Sequence, residues 1–112
     1  MTPEKIAHRL IKIGQREIRL DYEAKQIEKA DDLLLVLLDP DAEGELKLNY
    51  RNLLAFRLDG SLAWIAEQPT NAAHDVYYRI IDTSPIRALA FTSWSCTIDK
   101  ESGRVVNREF FK

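Results

Sequence analysis

The feature that most constrains the fold is an uninterrupted apolar run, Leu33–Leu38, which lies between Asp31-Asp32 and Asp39-Pro40. Successive side chains on a β-strand point to opposite faces, so a run without polar residues needs cover on both. A buried helix would also hide such a run, but six residues between acidic boundaries is the length of a strand. The run therefore predicts a central strand that is covered on both faces.

Strands with one polar face are predicted on either side of this run. Arg16–Tyr22 alternates polar and apolar residues, which is the period of a half-buried strand. Ile11–Ile13 leads into it through a turn at Gly14-Gln15. Residues 52–67 have the pattern of a hairpin, and the pair at its centre, Asp59-Gly60, is typical of a two-residue type I′ turn.

The last third of the chain continues this pattern. Four more strand segments are predicted at Val76–Ile81, Ile86–Thr92, Ser93–Asp99 and Val105–Phe110. The loop Lys100–Gly103 carries a glycine where a longer hairpin needs left-handed backbone. Together the segments predict a mainly β fold, an antiparallel meander of roughly six to nine short strands. Such a meander forms a sandwich, a partly closed barrel or one curled sheet.

Two segments fit more than one structure. Thr2-Pro3-Glu4 resembles the N-cap and first turn of a helix, so residues 1–9 form either a short N-terminal helix or an irregular arm. In either case the chain enters a strand near Leu10. Glu23–Ala30 fits a helical turn or an irregular strand extension. A chain of 112 residues is long enough for one core, so we expect a single domain over residues 1–112.

The composition excludes several classes of protein. Cys96 is the only cysteine, so neither an intrachain disulfide nor a cysteine-based zinc site can form. No apolar stretch reaches the ~18 residues that a membrane-spanning helix needs. The first residues also lack the apolar region of a secretory signal, so we expect a cytoplasmic protein without a membrane segment.

Two stretches resemble a pattern in small uncharacterised β-rich bacterial proteins. The first is Asn52–Trp64, with the spacing N-x-x-A-x-x-x-D-G-x-L-x-W, and the second is Ile98–Val106, which contains D-x-x-S-G-x-V. The apolar run that ends in Leu38-Asp39-Pro40 and the ending Glu109–Lys112 also fit that pattern, and the resemblance implies a small β domain without assigning it any chemistry. The same hairpins also resemble those of quinoprotein-type propeller blades, although 112 residues are too few for a full propeller.

The candidates for catalysis are weak. Cys96 and His74-Asp75 could supply a nucleophile and a base, but Cys96 alternates in phase with Trp94 and Ile98. That phase predicts a buried thiol, which is inert because burial raises its pKa. The chain also lacks the G-x-S-x-G motif and any glycine-rich phosphate loop. We therefore expect no enzyme, no catalytic residue and no cofactor.

Charge gives the clearest indication of a binding surface. Residues 21–45 carry nine acidic side chains and two lysines. Four of the acids alternate along one segment, at Asp39, Asp41, Glu43 and Glu45. Their spacing resembles the start of a calcium loop, but its twelfth position is Tyr50 where a bidentate glutamate is expected. A polar connection between strands explains the same residues, so no metal site is assigned.

Adjacent tyrosines add to this surface. A strand sends neighbouring side chains to opposite faces, so one of Tyr77 and Tyr78 is expected to be exposed and available to a partner. Arg79 and Arg87 are the only basic residues near them in sequence, which argues against nucleic acid as a partner.

These observations favour a non-enzymatic protein-interaction module, for example an immunity or antitoxin-like inhibitor. Its acidic residues Asp39, Asp41, Glu43 and Glu45, with Tyr77 and Tyr78, would face a basic partner protein. The alternative is a domain that binds a small ligand or calcium through the 39–45 loop. Self-association through sheet edges or faces is compatible with either.

Overall fold

The computed structural model describes residues 4–7, 9–41, 50–72 and 75–111 and is all-β over them. Within these ranges it contains eleven strands and no helix. The strands are β1 Glu4–Ala7, β2 Leu10–Ile13, β3 Arg16–Arg19, β4 Ala24–Ala30, β5 Leu33–Leu38, β6 Leu53–Arg57, β7 Leu62–Ile65, β8 Tyr77–Thr83, β9 Ile86–Ala90, β10 Trp94–Ile98 and β11 Val105–Phe110. A helix long and apolar enough to cross a membrane is not found in the described part of the chain.

Three antiparallel sheets are formed by three consecutive parts of the chain. The first sheet has the order β1-β2-β3, the middle sheet β4-β5-β6-β7, and the third sheet β11-β10-β9-β8. Within each sheet, strands that are consecutive in sequence pair with each other, so each sheet is a meander, and each is open with two edge strands. The mainly β, antiparallel prediction is confirmed.

The middle sheet is covered on both faces, and β5 is the reason that it must be. Leu33, Leu35 and Leu37 belong to a core shared with the third sheet, in which Tyr77, Ile80, Ile86, Ala88, Cys96 and Ile98 take part. Leu34, Val36 and Leu38 belong to a second core shared with the first sheet, through Ile11, Ile13 and Leu20. All six side chains of β5 are buried, which confirms the central strand predicted from the apolar run.

The strand count and two local predictions need correction. Eleven strands replace the six to nine expected, because the ambiguous segments are also extended. Glu4–Ala7 pairs with β2, so the predicted N-terminal helix is wrong over these residues. Ala24–Ala30 pairs with β5 along its length, so the irregular strand extension expected as one alternative is confirmed and the helical turn is wrong. A bulge between Ala24 and Gln26 breaks its two-residue alternation and makes it hard to recognise as a strand.

The hairpin turns are placed where the sequence predicts them. Gly103 has a φ of 78°, which confirms the left-handed glycine in the loop before β11. In the β6–β7 turn only Gly60 has a positive φ, of 91°, so the type I′ prediction is wrong. The Gly60 N–H donates to the Arg57 carbonyl at 2.9 Å, and the Arg57 N–H donates to the Ser61 carbonyl at 2.8 Å. The turn is therefore a three-residue loop, Leu58–Gly60.

Two amide side chains join the third sheet to the middle sheet along the outer edge of β8. Asn52 donates from Nδ2 to the Tyr77 carbonyl at 2.7 Å and accepts the Tyr77 N–H at 3.1 Å. Gln26 does the same for Ile80, donating at 2.9 Å and accepting at 2.8 Å. Each amide thus pairs with β8 as a neighbouring strand would.

Candidate functional site

Acidic residues from two separate segments meet at one end of the first and middle sheets. The Asp39 N–H donates to the Glu23 carbonyl at 2.8 Å, which brings the end of β5 against the segment between β3 and β4. Asp21 and Asp41 are exposed there, and Glu23 and Asp39 are half-buried. We call these four residues the acidic end. Sequence analysis found Asp39 and Asp41, and the fold adds Asp21 and Glu23.

A pair of tyrosines forms the base of the acidic end. Tyr22 and Tyr50 meet edge to face with ring centroids 5.0 Å apart, and the Tyr50 hydroxyl donates to the Asp39 carbonyl at 3.0 Å. Burial raises the pKa of Tyr50, and the nearby Tyr22, Asp39 and Asp21 raise it further. Tyr50 therefore stays neutral and acts as a support for the acidic loop.

The predicted 39–45 loop is described only in part. Glu43 and Glu45 lie outside the described residues. The Asp39 carboxylate accepts the Asp41 N–H at 2.9 Å, so one of its oxygens already accepts a hydrogen bond within the turn. Among the residues that the structure describes, no group of three or more His, Cys, Asp or Glu side chains could hold a metal ion.

The two adjacent tyrosines point in opposite directions, as predicted. Tyr77 is 1% exposed and donates its hydroxyl to the Glu67 carbonyl at 2.8 Å, so it belongs to the core and cannot contact a partner. Tyr78 is half-buried and stacks on Phe91 with centroids 5.2 Å apart and an interplanar angle of 11°. Phe91 itself is 53% exposed. Tyr78 with Phe91 is therefore the aromatic surface.

Asn52 relates this aromatic surface to the acidic end. Its Nδ2 donates to the Leu38 carbonyl at 3.0 Å as well as to Tyr77. Leu38 precedes Asp39, and Tyr77 precedes Tyr78. One side-chain amide therefore fixes the backbone immediately before Asp39 and immediately before Tyr78.

The thiol is placed as the sequence predicts. Cys96 is fully buried in the core between the middle and third sheets. Burial raises the pKa of Cys96 to about 11, which keeps it as an inert thiol.

His74 lies outside the described residues. Its neighbour Asp75 is buried and accepts the hydroxyls of Thr70 and Thr92, each at 2.6 Å, through one oxygen. Its other oxygen, Oδ1, is buried without a partner.

A groove that sequence analysis did not single out lies beside β11. It has a volume of about 580 Å³ and contains three arginines, Arg51, Arg104 and Arg108. The first and the last of these arginines are more than fifty residues apart in sequence. No local sequence motif therefore indicates that the three lie together. Only the packing of the third sheet on the middle sheet brings them together.

These features define a class of protein: a stack of three open antiparallel meanders, with an acidic end, an aromatic pair and an arginine-lined groove on its surface. A family model described as a domain of unknown function, DUF7957, matches residues 1–110. The chain belongs to that family. The comparison with curated proteins finds no match, and the comparison with solved structures finds none either.

Proposed function

We propose that the chain is a non-enzymatic protein-interaction module of the bacterial cytoplasm, and that the acidic end binds a basic partner protein. The observation that supports this is the convergence of Asp21, Glu23, Asp39 and Asp41 from two segments onto one surface. Complementary charge steers association and selects partners, and its effect weakens with salt.

The aromatic surface supplies the apolar contact that such an interface needs. Phe91 and Tyr78 are stacked, and they are linked through Asn52 to the same part of the fold as Asp39. Aromatic side chains are enriched at protein interfaces because they bury a large area at a small entropic cost. The acidic end would then guide the partner, and the aromatic surface would hold it.

An inhibitor of the immunity or antitoxin type fits this proposal. Such a protein needs a stable surface and no chemistry, and a basic toxin would be its natural complement. The inert Cys96 agrees with a role that involves no covalent step.

The test is affinity capture at low salt with a variant in which Asp39, Asp41, Glu43 and Glu45 are replaced by serine. The wild-type chain should capture a basic partner that is released as salt is raised, and the variant should lose it. A matched control replaces four exposed acids elsewhere, Glu17, Asp32, Glu101 and Glu109, by serine. The control should keep the partner. Retention of every captured protein by the first variant, and also by one that carries serine at Asp21 and Glu23 in addition, would rule out the acidic end.

The alternative, calcium binding by the 39–45 loop, is separated by thermal melting. A cation that binds only the folded state raises the melting temperature. Under the proposal, millimolar calcium leaves the melting temperature of wild-type protein unchanged. A saturable increase that the four-serine variant lacks would favour the cation site instead.

A further inference from the structure

The groove beside β11 is built from side chains that face a gap between two edge strands. Ile65, at the end of β7, and Gly103, in the turn before β11, both line it. The Glu67 N–H donates to the Gly103 carbonyl at 2.9 Å, and the Glu67 carboxylate accepts the Val105 N–H at 2.9 Å. The walls of the groove are therefore fixed to each other by the fold.

Two of its arginines are held in place by backbone carbonyls. Arg51 donates from Nε to the Ala66 carbonyl at 3.0 Å and from Nη2 to the Ile65 carbonyl. Arg108 donates from Nε to the Pro69 carbonyl. A guanidinium has five N–H groups, so each of these side chains keeps donors for a ligand while its orientation is set.

Within the described residues, no ion pair neutralises the positive charge of these arginines. No carboxylate of the described residues lies within 4.0 Å of the Arg51, Arg104 or Arg108 guanidinium. Among the described residues that line the groove, Glu67 is the one acid, against three arginines. Three like charges facing one gap repel one another, and an anion would relieve that repulsion.

We propose that this groove is a binding site for a small oxyanion with at least two negative charges, carried by phosphate or carboxylate groups. Arginine is the side chain best suited to both groups, because its planar fork donates two parallel hydrogen bonds. Thr70, Asn71 and Ser102 also line the groove and can donate to an anion. The volume of about 580 Å³ lies within the range of small-molecule sites, ~300–1,000 Å³.

The site is independent of the acidic end. It uses other side chains and the opposite charge, so it extends the proposed function rather than resting on it. The variant with serine at positions 39, 41, 43 and 45 should bind the anion as wild-type protein does.

The experiment is calorimetric titration of the full chain with pyrophosphate and with citrate, at low and constant ionic strength, with acetate as the monovalent reference. Wild-type protein should bind at least one of the two probes saturably and acetate much more weakly. Binding of pyrophosphate alone identifies a phosphate ligand, and binding of citrate alone identifies a carboxylate ligand. Absence of saturable binding by the folded wild-type protein to either probe would overturn the proposal.

A matched pair of variants separates the groove from net charge. Arg104→Gln removes a guanidinium that makes no hydrogen bond or ion pair with the described residues, and should weaken binding about tenfold. Arg79→Gln makes the same change on an exposed residue of β8, outside the groove, and should leave affinity within about twofold of wild type. Equal losses in the two variants would mean that overall charge, not this site, attracts the anion.

Discussion

The two edge strands of the third sheet, β8 and β11, differ in how their outward-facing backbone groups are hydrogen-bonded. At β8, the backbone groups of Tyr77 and Ile80 that face away from β9 are paired with the side-chain amides of Asn52 and Gln26. At β11, Phe111 directs its N–H to the Ser93 carbonyl on the β10 side. Because bonding alternates along an antiparallel strand, Arg108 and Phe110 direct theirs outward.

The difference shows how this fold joins its sheets. An amide side chain carries both a donor group and an acceptor group, so it can complete an edge where no strand is available. The two amides close β8 and fasten the third sheet to the middle sheet. The β11 edge keeps open backbone groups, and such edges are usually protected by charge or by a partner. Arg108 and Glu109 supply charge on that edge.

Amide hydrogen exchange should show this difference most strongly. The N–H groups of Tyr77 and Ile80 should exchange at least about a hundredfold more slowly than those of Arg108 and Phe110. Exchange measured by NMR at one pH gives the comparison within a single sample. Equal protection at Arg108 and Phe110 would mean that another chain covers the β11 edge in solution.

Replacing Asn52 should break the closed edge. Asn52→Leu leaves the Tyr77 N–H, the Tyr77 carbonyl and the Leu38 carbonyl without their side-chain partner in a buried setting. We expect the free energy of unfolding to fall by about 3 kcal/mol, measured by urea denaturation.

The matched control makes the same replacement on the open edge. Asn107 is exposed on β11, so Asn107→Leu should change the free energy of unfolding by no more than about 0.5 kcal/mol. A loss as large as that of Asn52→Leu would contradict the distinction between the two edges.

The pH dependence of the free energy of unfolding tests the burial of Cys96, which lies on β10 next to the open edge. The pKa of Cys96 is raised from 9.0 to about 11 by burial. Between these values the unfolded chain loses the thiol proton while the folded chain keeps it, so stability falls as pH rises. Cys96 should contribute up to about 2 kcal/mol to this loss.

The comparison that isolates this contribution is Cys96→Ala, followed by urea denaturation from pH 8 to pH 11. The variant should lose less stability over this range than wild-type protein, since the tyrosines titrate in both. Identical slopes would show that burial does not raise the pKa of Cys96 in the folded protein.

Much of this fold was predictable because periodicity is a local signal. The continuous run in β5 required cover on both faces, and two cores provide it. The alternation of Trp94, Cys96 and Ile98 placed the thiol correctly in the core. Where a bulge disturbs the two-residue period, as in β4, the sequence left a helical turn and an irregular strand extension open, and the structure has the strand.

The surface was less predictable because its residues come from distant segments. Asp39 and Asp41 are apparent in the sequence, but their meeting with Asp21 and Glu23 depends on how β4 pairs with β5. The arginine groove needs the third sheet to pack on the middle sheet, and the closure of β8 by Asn52 is a contact across 25 residues. Sequence spacing carries no record of such contacts.

The placement of β5 also affects how the chain must be made. The core on one face of β5 includes Cys96 and Ile98, so that face remains uncovered until the segment that carries these two residues has left the ribosome. Until then Leu33–Leu38 is a short, uncharged, apolar stretch of the kind that pairs with copies of itself. Asp31-Asp32 and Asp39-Pro40 flank it with charge and a proline, which act as gatekeepers against aggregation during synthesis.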